Sequence, residues 1–315
     1  MLDLIDYPHG ISALDAGLGR PRLTAIHLIV HEGRVAIVDT GAAHSVPRVL
    51  DALATKRLAP EAVDYVILTH VHLDHAGGAG ALMRVLPNAR LTVHPRGARH
   101  MIAPARLIAG TIEVYGEAHM HATYGEVVPV PEDRVIETGE GTRLALGTRV
   151  LHFFDTPGHA RHHVVIHDPC AGAVFTGDTF GLAYSELDDP EHRYIFPTTS
   201  PTQFDPEAAH RSVDRIASLA ETVYVTHYGA VHDVAARAAD LHRLIDAHTA
   251  LALAHRHDGE RRHERLLAGV ERLAVEEAER RGWQARSDEV LRLMHDDIEL
   301  NAQGLGCWLD ALPSP

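Results

Sequence analysis

The chain is nearly devoid of cysteine: Cys170 and Cys307 are the only two in 315 residues. Two thiols cannot build a disulfide framework, and their scarcity fits a reducing compartment. No run of 18 or more apolar residues occurs, so no segment reads as a membrane span. The N-terminal Met1-Leu2-Asp3-Leu4-Ile5-Asp6 has no basic stretch leading into an apolar one, so no signal peptide is expected and the cytoplasm is the expected location. Positive charge is in deficit, with 29 Lys and Arg against 43 Asp and Glu and a net charge of −14. A pI near 6.0 argues against a nucleic-acid partner, which calls for clustered basic residues. Low-complexity segments and short-period repeats are absent as well. What remains, 45% hydrophobic residues over this length, suffices for a large core in one or two domains.

Histidine is what the chain has in plenty, 26 in all. Its densest cluster is Thr69-His70-Val71-His72-Leu73-Asp74-His75, directly after the strand-like apolar run Tyr65-Val66-Ile67-Leu68. Three imidazoles and a carboxylate within six positions are poorly explained by packing. Histidine is the commonest metal ligand, and two of them at i and i+2 leaving a strand can converge on one ion. Asp74 and His75 add donors that face a neighbouring ion. Other motifs accompany the cluster in order. Val35-Ala36-Ile37-Val38-Asp39-Thr40-Gly41 precedes it; Asp155-Thr156-Pro157-Gly158-His159, Val174-Phe175-Thr176-Gly177-Asp178-Thr179 and Val223-Tyr224-Val225-Thr226-His227 follow. Singly, Asp39 and Asp178 pass as turn residues beside glycine, His159 as a solvated loop residue and His227 as a core histidine. Jointly they sit at the C-terminal ends of strand-like runs, where sites on open α/β sheets gather.

Together these five motifs resemble those of the metallo-β-lactamase superfamily, over roughly residues 20–235. The resemblance implies an α/β fold, an αββα sandwich with helices outside and two sheets inside, here with a C-terminal helical extension. It also implies a ligand set. His70, His72 and His159 would hold one divalent ion with three neutral nitrogens and leave a position for water. Asp74, His75 and His227 would hold a second ion, Asp178 would bridge the two, and Asp39 would support the site without binding metal. Such ligands suit zinc, iron or manganese, with zinc expected first. Two ions about 3.5–4 Å apart clamp a shared water and the substrate oxygen, and bring the water's pKa down to about 7.

The implied activity is hydrolysis of a small ester, thioester or lactone by attack of metal-bridging hydroxide. Asp74 and Asp178 would be the catalytic carboxylates, with no covalent intermediate on Ser or Cys. Within the superfamily the chain is most similar to glyoxalase-II-like hydrolases and to related metallo-hydrolases. His162-His163 depart from the common form of the T-P-G-H step. Two other functions stand on the same scaffold. A mononuclear non-haem iron dioxygenase of the persulfide-oxidising type would leave part of the dinuclear set idle. A catalytically idle binding protein would have lost ligands, and none is lost. A β-lactam is disfavoured, because the antibiotic-destroying members are typically exported. Glutathione or coenzyme A would want a basic cluster, for which Arg96, Arg99 and Arg106 are the candidates.

The rest of the chain reads as alternating elements. Near-continuous apolar runs predict strands over 23–30 and 35–38, covered on both faces. Val46, Val49, Leu50 and Leu53 stripe a helix over 45–56. Residues 77–86 make a Gly-rich entry to a short helix, followed by a strand over 91–93. Further strands are expected over 143–145, 150–154, 164–166 and 173–176. The stretch 95–140 mixes short helices with Pro and Gly; its Tyr115, His119, His121 and Tyr124 line a pocket or form a surface excursion. A second long loop, 180–205, leaves from Asp178 and contains Pro190, Pro197 and Pro201, so it should border the metals. Tyr184 and Tyr194 are its candidates to polarise a substrate oxygen, with simple packing the alternative for each. Residues 1–234 are expected to form the hydrolase domain and 235–315 a helical region. Its helices are predicted over 234–255, 260–281 and 287–301, the last capped by Gln303-Gly304. Their apolar stripes must be buried on the sandwich beside the 180–205 loop, on a second copy in a homodimer, or both. His242, His248, His255 and His257 are expected on exposed helix faces.

Overall fold

The computed structural model of the protein describes residues 2–188, 193–280 and 287–313. Its first sheet comprises β1 (Leu4–Asp6), β2 (Ile11–Asp15), β3 (Ala25–His31), β4 (Arg34–Val38), β5 (Val63–Ile67), β6 (Arg90–Val93) and β7 (Val135–Glu137), side by side in chain order. Pairing is antiparallel from β1 to β4 and parallel from β4 to β7. Parallel neighbours need crossovers, and helices fill them. These are α1 (Val46–Thr55) before β5, α2 (Leu73–Ala76) and α3 (Ala79–Val85) before β6, and α4 (Pro95–Ile102), α5 (Ala105–Tyr115) and α6 (Glu117–Tyr124) before β7. The second sheet holds β8 (Arg143–Leu146), β9 (Arg149–Asp155), β10 (Val164–Asp168), β11 (Ala173–Gly177), β12 (Thr222–Val225) and β13 (Gly229–Val231), again in chain order. Only β11 and β12 pair in parallel, joined through α7 (Pro206–Leu219). Then come α8 (Val234–Ala254), α9 (Arg262–Arg280), α10 (Ser287–Leu293) and α11 (His295–Ala311).

The period-two alternation of a strand sorts the apolar runs into layers. In β4, Val35 and Ile37 join Val49 and Leu53 of α1 and Leu82 of α3, while Ala36 and Val38 face Phe153, Ile166 and Phe175 of the other sheet. In β12, Val223 and Val225 meet Val213 of α7, Leu241 of α8 and Val270 of α9, while Tyr224 turns inward. Strands apolar on both faces therefore give helix, sheet, sheet, helix, the αββα order. The C-terminal helices share the outer core of the second sheet: Leu266, Val290, Met294, Ile298 and Leu305 belong to one buried cluster with Val165 and Val223. Among the described residues no helix is long and apolar enough to cross a membrane.

Several elements differ from the sequence reading. β1, β7 and β13 have three residues each, too short for a periodicity to show, and β2 carries the buried polar residues Ser12 and Asp15. α7 lay outside the sequence reading, although Ala208, Ser212 and Ile216 are buried at helical spacing and its start is signalled: Asp205 Oδ1 accepts from the Ala208 amide at 3.0 Å and Pro206 follows as the first helical residue. The helix predicted over 287–301 is broken at Met294, and its second part runs past Gly304 to Ala311. Gly304 is no cap. A Cβ there would fall 1.6 Å from the Thr199 carbonyl oxygen, so the glycine lets α11 press against that loop. His248, expected on an exposed face, is fully buried, with Nδ1 donating to the Leu244 carbonyl at 2.7 Å and the ring against Phe196. Pro190 and Arg281, parts of the expected loop and helix, lie outside the described residues.

Candidate metal centre

The seven expected ligand residues meet at one rim of the sandwich, five of them beyond the C-terminal end of a strand and two on the helical turn α2. His70 and His72 follow β5, His159 follows β9, Asp178 follows β11 and His227 follows β12. His72 ends the extended segment as the residue before α2, and that single helical turn folds Asp74 and His75 back towards it. The turn is held close to the sheet by Gly78, whose Cβ would lie 2.7 Å from the carbonyl oxygens of both Thr40 and Ala42.

Two groups of donor atoms result. His70 Nε2 and His159 Nε2 lie 3.0 and 2.9 Å from His72 Nδ1. His75 Nε2 and His227 Nε2 lie 3.2 and 3.3 Å from Asp74 Oδ2. Asp178 divides its carboxylate between them: Oδ1 is 3.1 Å from His75 Nε2 and 3.5 Å from His227 Nε2, and Oδ2 is 3.5 Å from His159 Nε2. Ligands about 2.1 Å from an ion stand about 3.0–3.4 Å apart, octahedral to tetrahedral, so these separations match the edges of coordination polyhedra. A hydrogen-bond account does not fit, because His72 Nδ1 cannot donate one proton to two neighbours. His75 Nε2 and Asp178 Oδ1 are moreover buried with no hydrogen-bond partner, a costly state for polar atoms aimed at one space. The nitrogen and carboxylate set suits a divalent transition ion.

Partners on the far side of each ring aim these nitrogens. His75 Nδ1 donates to Asp39 Oδ2 at 2.8 Å and His227 Nδ1 to the Leu23 carbonyl at 2.7 Å, which leaves each Nε2 as the lone-pair nitrogen. Asp39 is fully buried with a left-handed φ of 59° and also accepts from the Thr69 amide, the Thr69 hydroxyl and the Thr226 hydroxyl. Thr69 Oγ1 in turn lies 3.2 Å from His70 Nδ1. One carboxylate thus orients His75 directly and His70 through a threonine.

The two groups differ electrically. Burial, reinforced by neighbouring imidazoles, holds His70 well below the usual histidine range and His72 down at about 3. Burial also lowers His159. The first group is therefore neutral and offers lone pairs. At His75 and His227 burial acts in the same direction, but the charges of Asp74 and Asp178 outweigh it and raise both. Burial acts to raise Asp74 and Asp178, yet those imidazoles hold both carboxyls below the carboxylate range. Protons and metal ions compete for this second group.

Other side chains are sorted by the same geometry. His163 Nε2 accepts the Asp178 amide proton at 3.2 Å, and His162 is buried beside His72. Tyr184 lies 6.2 Å, ring to ring, from His227 and donates to Asp297 Oδ2 of α11 at 2.9 Å. Burial raises Asp297 to about 6. Tyr194 faces away and donates to the Ala274 carbonyl in α9, so it packs rather than reaching the site. Tyr115 and Tyr124 touch at the end of the α5–α6 excursion; Tyr124 is buried, and burial and then the Asp74 charge raise its hydroxyl, whereas Tyr115 is exposed. His119 stacks on Tyr115 at the surface and His121 is exposed. Thr69, Thr198, Thr226 and Asp297 were missed by sequence reasoning. For two of them a signal existed, the repeated Thr-His pair at the ends of β5 and β12; for Thr198 and Asp297 there was none.

Comparison with known proteins finds relatives in sequence and in fold. The pattern describing the metallo-beta-lactamase superfamily matches residues 19–227. A metallo-beta-lactamase fold-containing protein of Sulfurisphaera tokodaii is 27% identical over 201 residues, covering 61% of this chain and 68% of that one. A hydroxyacylglutathione hydrolase of Stenotrophomonas maltophilia is 32% identical over 161 residues, or 51% of this chain and 47% of that one. The chain thus spans about half the length of the hydroxyacylglutathione hydrolase it matches. A crystal structure of an archaeal metallo-beta-lactamase superfamily protein from Sulfolobus tokodaii superposes with a TM-score of 0.63 at 23% identity, covering 95% and 99% of the two chains. A metallo-beta-lactamase family protein from Thermus thermophilus gives 0.61 at 22%, covering 91% and 93%.

Proposed function

Because the chain belongs to the metallo-β-lactamase superfamily, we propose that it is a metal-dependent hydrolase holding two divalent ions, zinc first among the candidates, and cleaving a small ester, thioester or lactone. The observation that carries this reading is the divided carboxylate of Asp178, whose oxygens face two separate groups of imidazoles. His70, His72 and His159 would hold one ion, Asp74, His75 and His227 the other, and Asp178 would reach both. Bound there, such ions lower the pKa of water and polarise a substrate carbonyl.

The chain's own residues supply orientation and access. Asp39 and Thr69 keep the imidazoles aimed, as derived above. Asp74 keeps 27% of its side chain exposed against 8% for Asp178, so it is the carboxylate of the pair that faces the side from which a substrate would approach. Cys170 is exposed in the turn before β11 and Cys307 lies on α11, so neither supports an acyl-enzyme. A mononuclear dioxygenase would leave Asp74, His75 and His227 without purpose, although they are gathered as tightly as the first group. Of the basic candidates for holding an anionic thiol carrier, Arg96 is engaged with the Arg161 carbonyl at 3.1 Å. Pairing of two copies is part of the same proposal, with sedimentation as its check.

The test is metal analysis after reconstitution with excess zinc, manganese or iron, joined to a panel of thioester, lactone and ester substrates. Two ions per chain and turnover that disappears in Asp178→Ala are expected. A single ion at saturation, or none, refutes the reading, as does trapping an acyl group on Ser or Cys.

A further inference from the structure

The C-terminal helix reaches the candidate centre by a route the motifs do not contain. Asn301 on α11 is buried, and its amide is used at both ends: Nδ2 donates to the Pro197 carbonyl at 2.9 Å, and Oδ1 accepts the Thr199 amide proton at 2.7 Å. The Asn301 backbone carbonyl accepts the Thr199 hydroxyl at 3.0 Å as well. One residue therefore pins the chain on both sides of Thr198. Three positions on, and so on the same helix face, Gly304 has the close approach to Thr199 described above. Asparagine is a poor helix former, and glycine a poorer one, so this face serves the contact rather than the helix.

Thr198 faces the opposite way. Its hydroxyl lies 3.2 Å from the Asp178 carbonyl oxygen, which can only accept and also takes the Gly181 amide proton; a hydroxyl proton given to that carbonyl leaves the oxygen's lone pairs for the other side. Towards His159 Nδ1, at 2.9 Å, the same oxygen can then only accept. That sets the tautomer: Nδ1 carries the proton, and the lone pair is on Nε2, the atom facing His72 and Asp178. Ser200 Oγ, on the same strap, lies farther off, 3.3 Å from His159 Nδ1.

We propose that Asn301 is a positioning residue of the metal centre, holding the Pro197–Thr198–Thr199 strap so that the Thr198 hydroxyl fixes the tautomer and aim of His159. It rests on the reading that His159 holds an ion. The relay acts through His159 on the first donor group, while the rings of the second are aimed by Asp39 and the Leu23 carbonyl and share with the strap only its main-chain bond to Asp178.

The experiment compares wild type, Asn301→Ala, Asn301→Asp, Thr198→Val and the Asn301→Ala/Thr198→Val double variant. Gly306→Ala is the control on the same helix, since its added Cβ meets nothing within 4 Å. Three quantities are read: the two zinc dissociation constants by chelator competition, the absorption of the cobalt(II)-loaded protein, and the 15N shifts of His159 in metal-free protein. Loss of an orienting partner weakens a metal site by about ten- to a hundred-fold, so one dissociation constant should rise by that factor while the other stays within about three-fold. Asn301→Asp keeps the acceptor for Thr199 but sets a buried carboxylate oxygen against the Pro197 carbonyl, so it should weaken the same ion at least as much as alanine; Thr198→Val carries the test if neither Asn301 variant folds. The double variant should be no worse than Thr198→Val alone, because both act through one hydroxyl. The metal-free His159 signal should move from the Nδ1–H form to a mixture of tautomers in each variant. Equal weakening of both ions, additive effects, an unchanged tautomer, or a lowered unfolding midpoint with unchanged affinities would each overturn the relay. If wild type binds no divalent ion, the proposed function falls and the tautomer signal alone decides the relay.

Discussion

Replacing His248 by leucine should flatten the acid side of this protein's stability curve. The ring is fully buried on α8, Nδ1 donates to the Leu244 carbonyl and Nε2 has no hydrogen-bond partner. Burial lowers its pKa from 6.5 to about 4. The unfolded chain takes up the proton near pH 6.5 and the folded chain only near pH 4, so between these values the unfolded state binds more protons. Stability that is complete above pH 6.5 is therefore lost as pH falls towards 4. With these two pKa values the loss between pH 7.5 and pH 5 is about 2 kcal/mol. Leucine has similar volume and does not titrate, and the Leu244 carbonyl lies within a helix, so the cost at neutral pH should stay within about 1.5 kcal/mol. Urea unfolding of both proteins at pH 7.5 and 5.0, at equal metal concentration, gives the difference by linear extrapolation. Metal release and the other buried histidines, such as His27, also lowered to about 4 by burial, are common to both proteins and cancel. Parallel loss of stability, within about 0.5 kcal/mol, would show that His248 is not held neutral in the fold.

Three further outcomes follow from the geometry. In Asp39→Asn, an amide NH2 replaces an oxygen that accepts from His75 or Thr69; the second ion should weaken by about ten- to a hundred-fold, more than the first, in a metal titration. Arg149 pairs with Asp168 and both are buried, so Arg149→Ala leaves a buried carboxylate without its partner; urea unfolding should show a loss of about 3–5 kcal/mol with metal content unchanged. Ending the chain after Val234 exposes the face formed by Val165, Val174, Val223 and Val225, and the fragment should lack a cooperative unfolding transition; a folded fragment that still binds metal contradicts the shared core.

The strands of both sheets that carry the ligands were legible because each is an apolar run of four or more residues ending in a polar motif. β4 and β12 are examples, with Asp39 and His227 just beyond their ends. The three-residue strands and β2 were not, since a pattern of period two needs more residues than β1 or β13 provides and Ser12 interrupts the other. The first two C-terminal helices were legible to within two residues at their described ends, whereas the one expected over 287–301 is two helices, the second running on to Ala311. Gly304 looks like a stop signal in one dimension, and only the nearness of Thr199 shows it to be a contact. Likewise Tyr184 and Tyr194 are equivalent as letters, yet one hydroxyl turns to Asp297 beside His227 and the other to Ala274 in α9.

By itself the sequence determined the layered fold and the kinds of atoms at the centre, because periodicity and side-chain chemistry are local properties. Only the tertiary structure decided which nitrogen of each imidazole faces inward, how Asp178 divides its oxygens, and that Asn301 stands behind His159. Those depend on partners far apart in the chain: Asn301 and Thr199 are separated by 102 positions, and His227 and Leu23 by 204. A donor and an acceptor at such separations are joined by the packing of the layers between them, and no spacing along the chain records it.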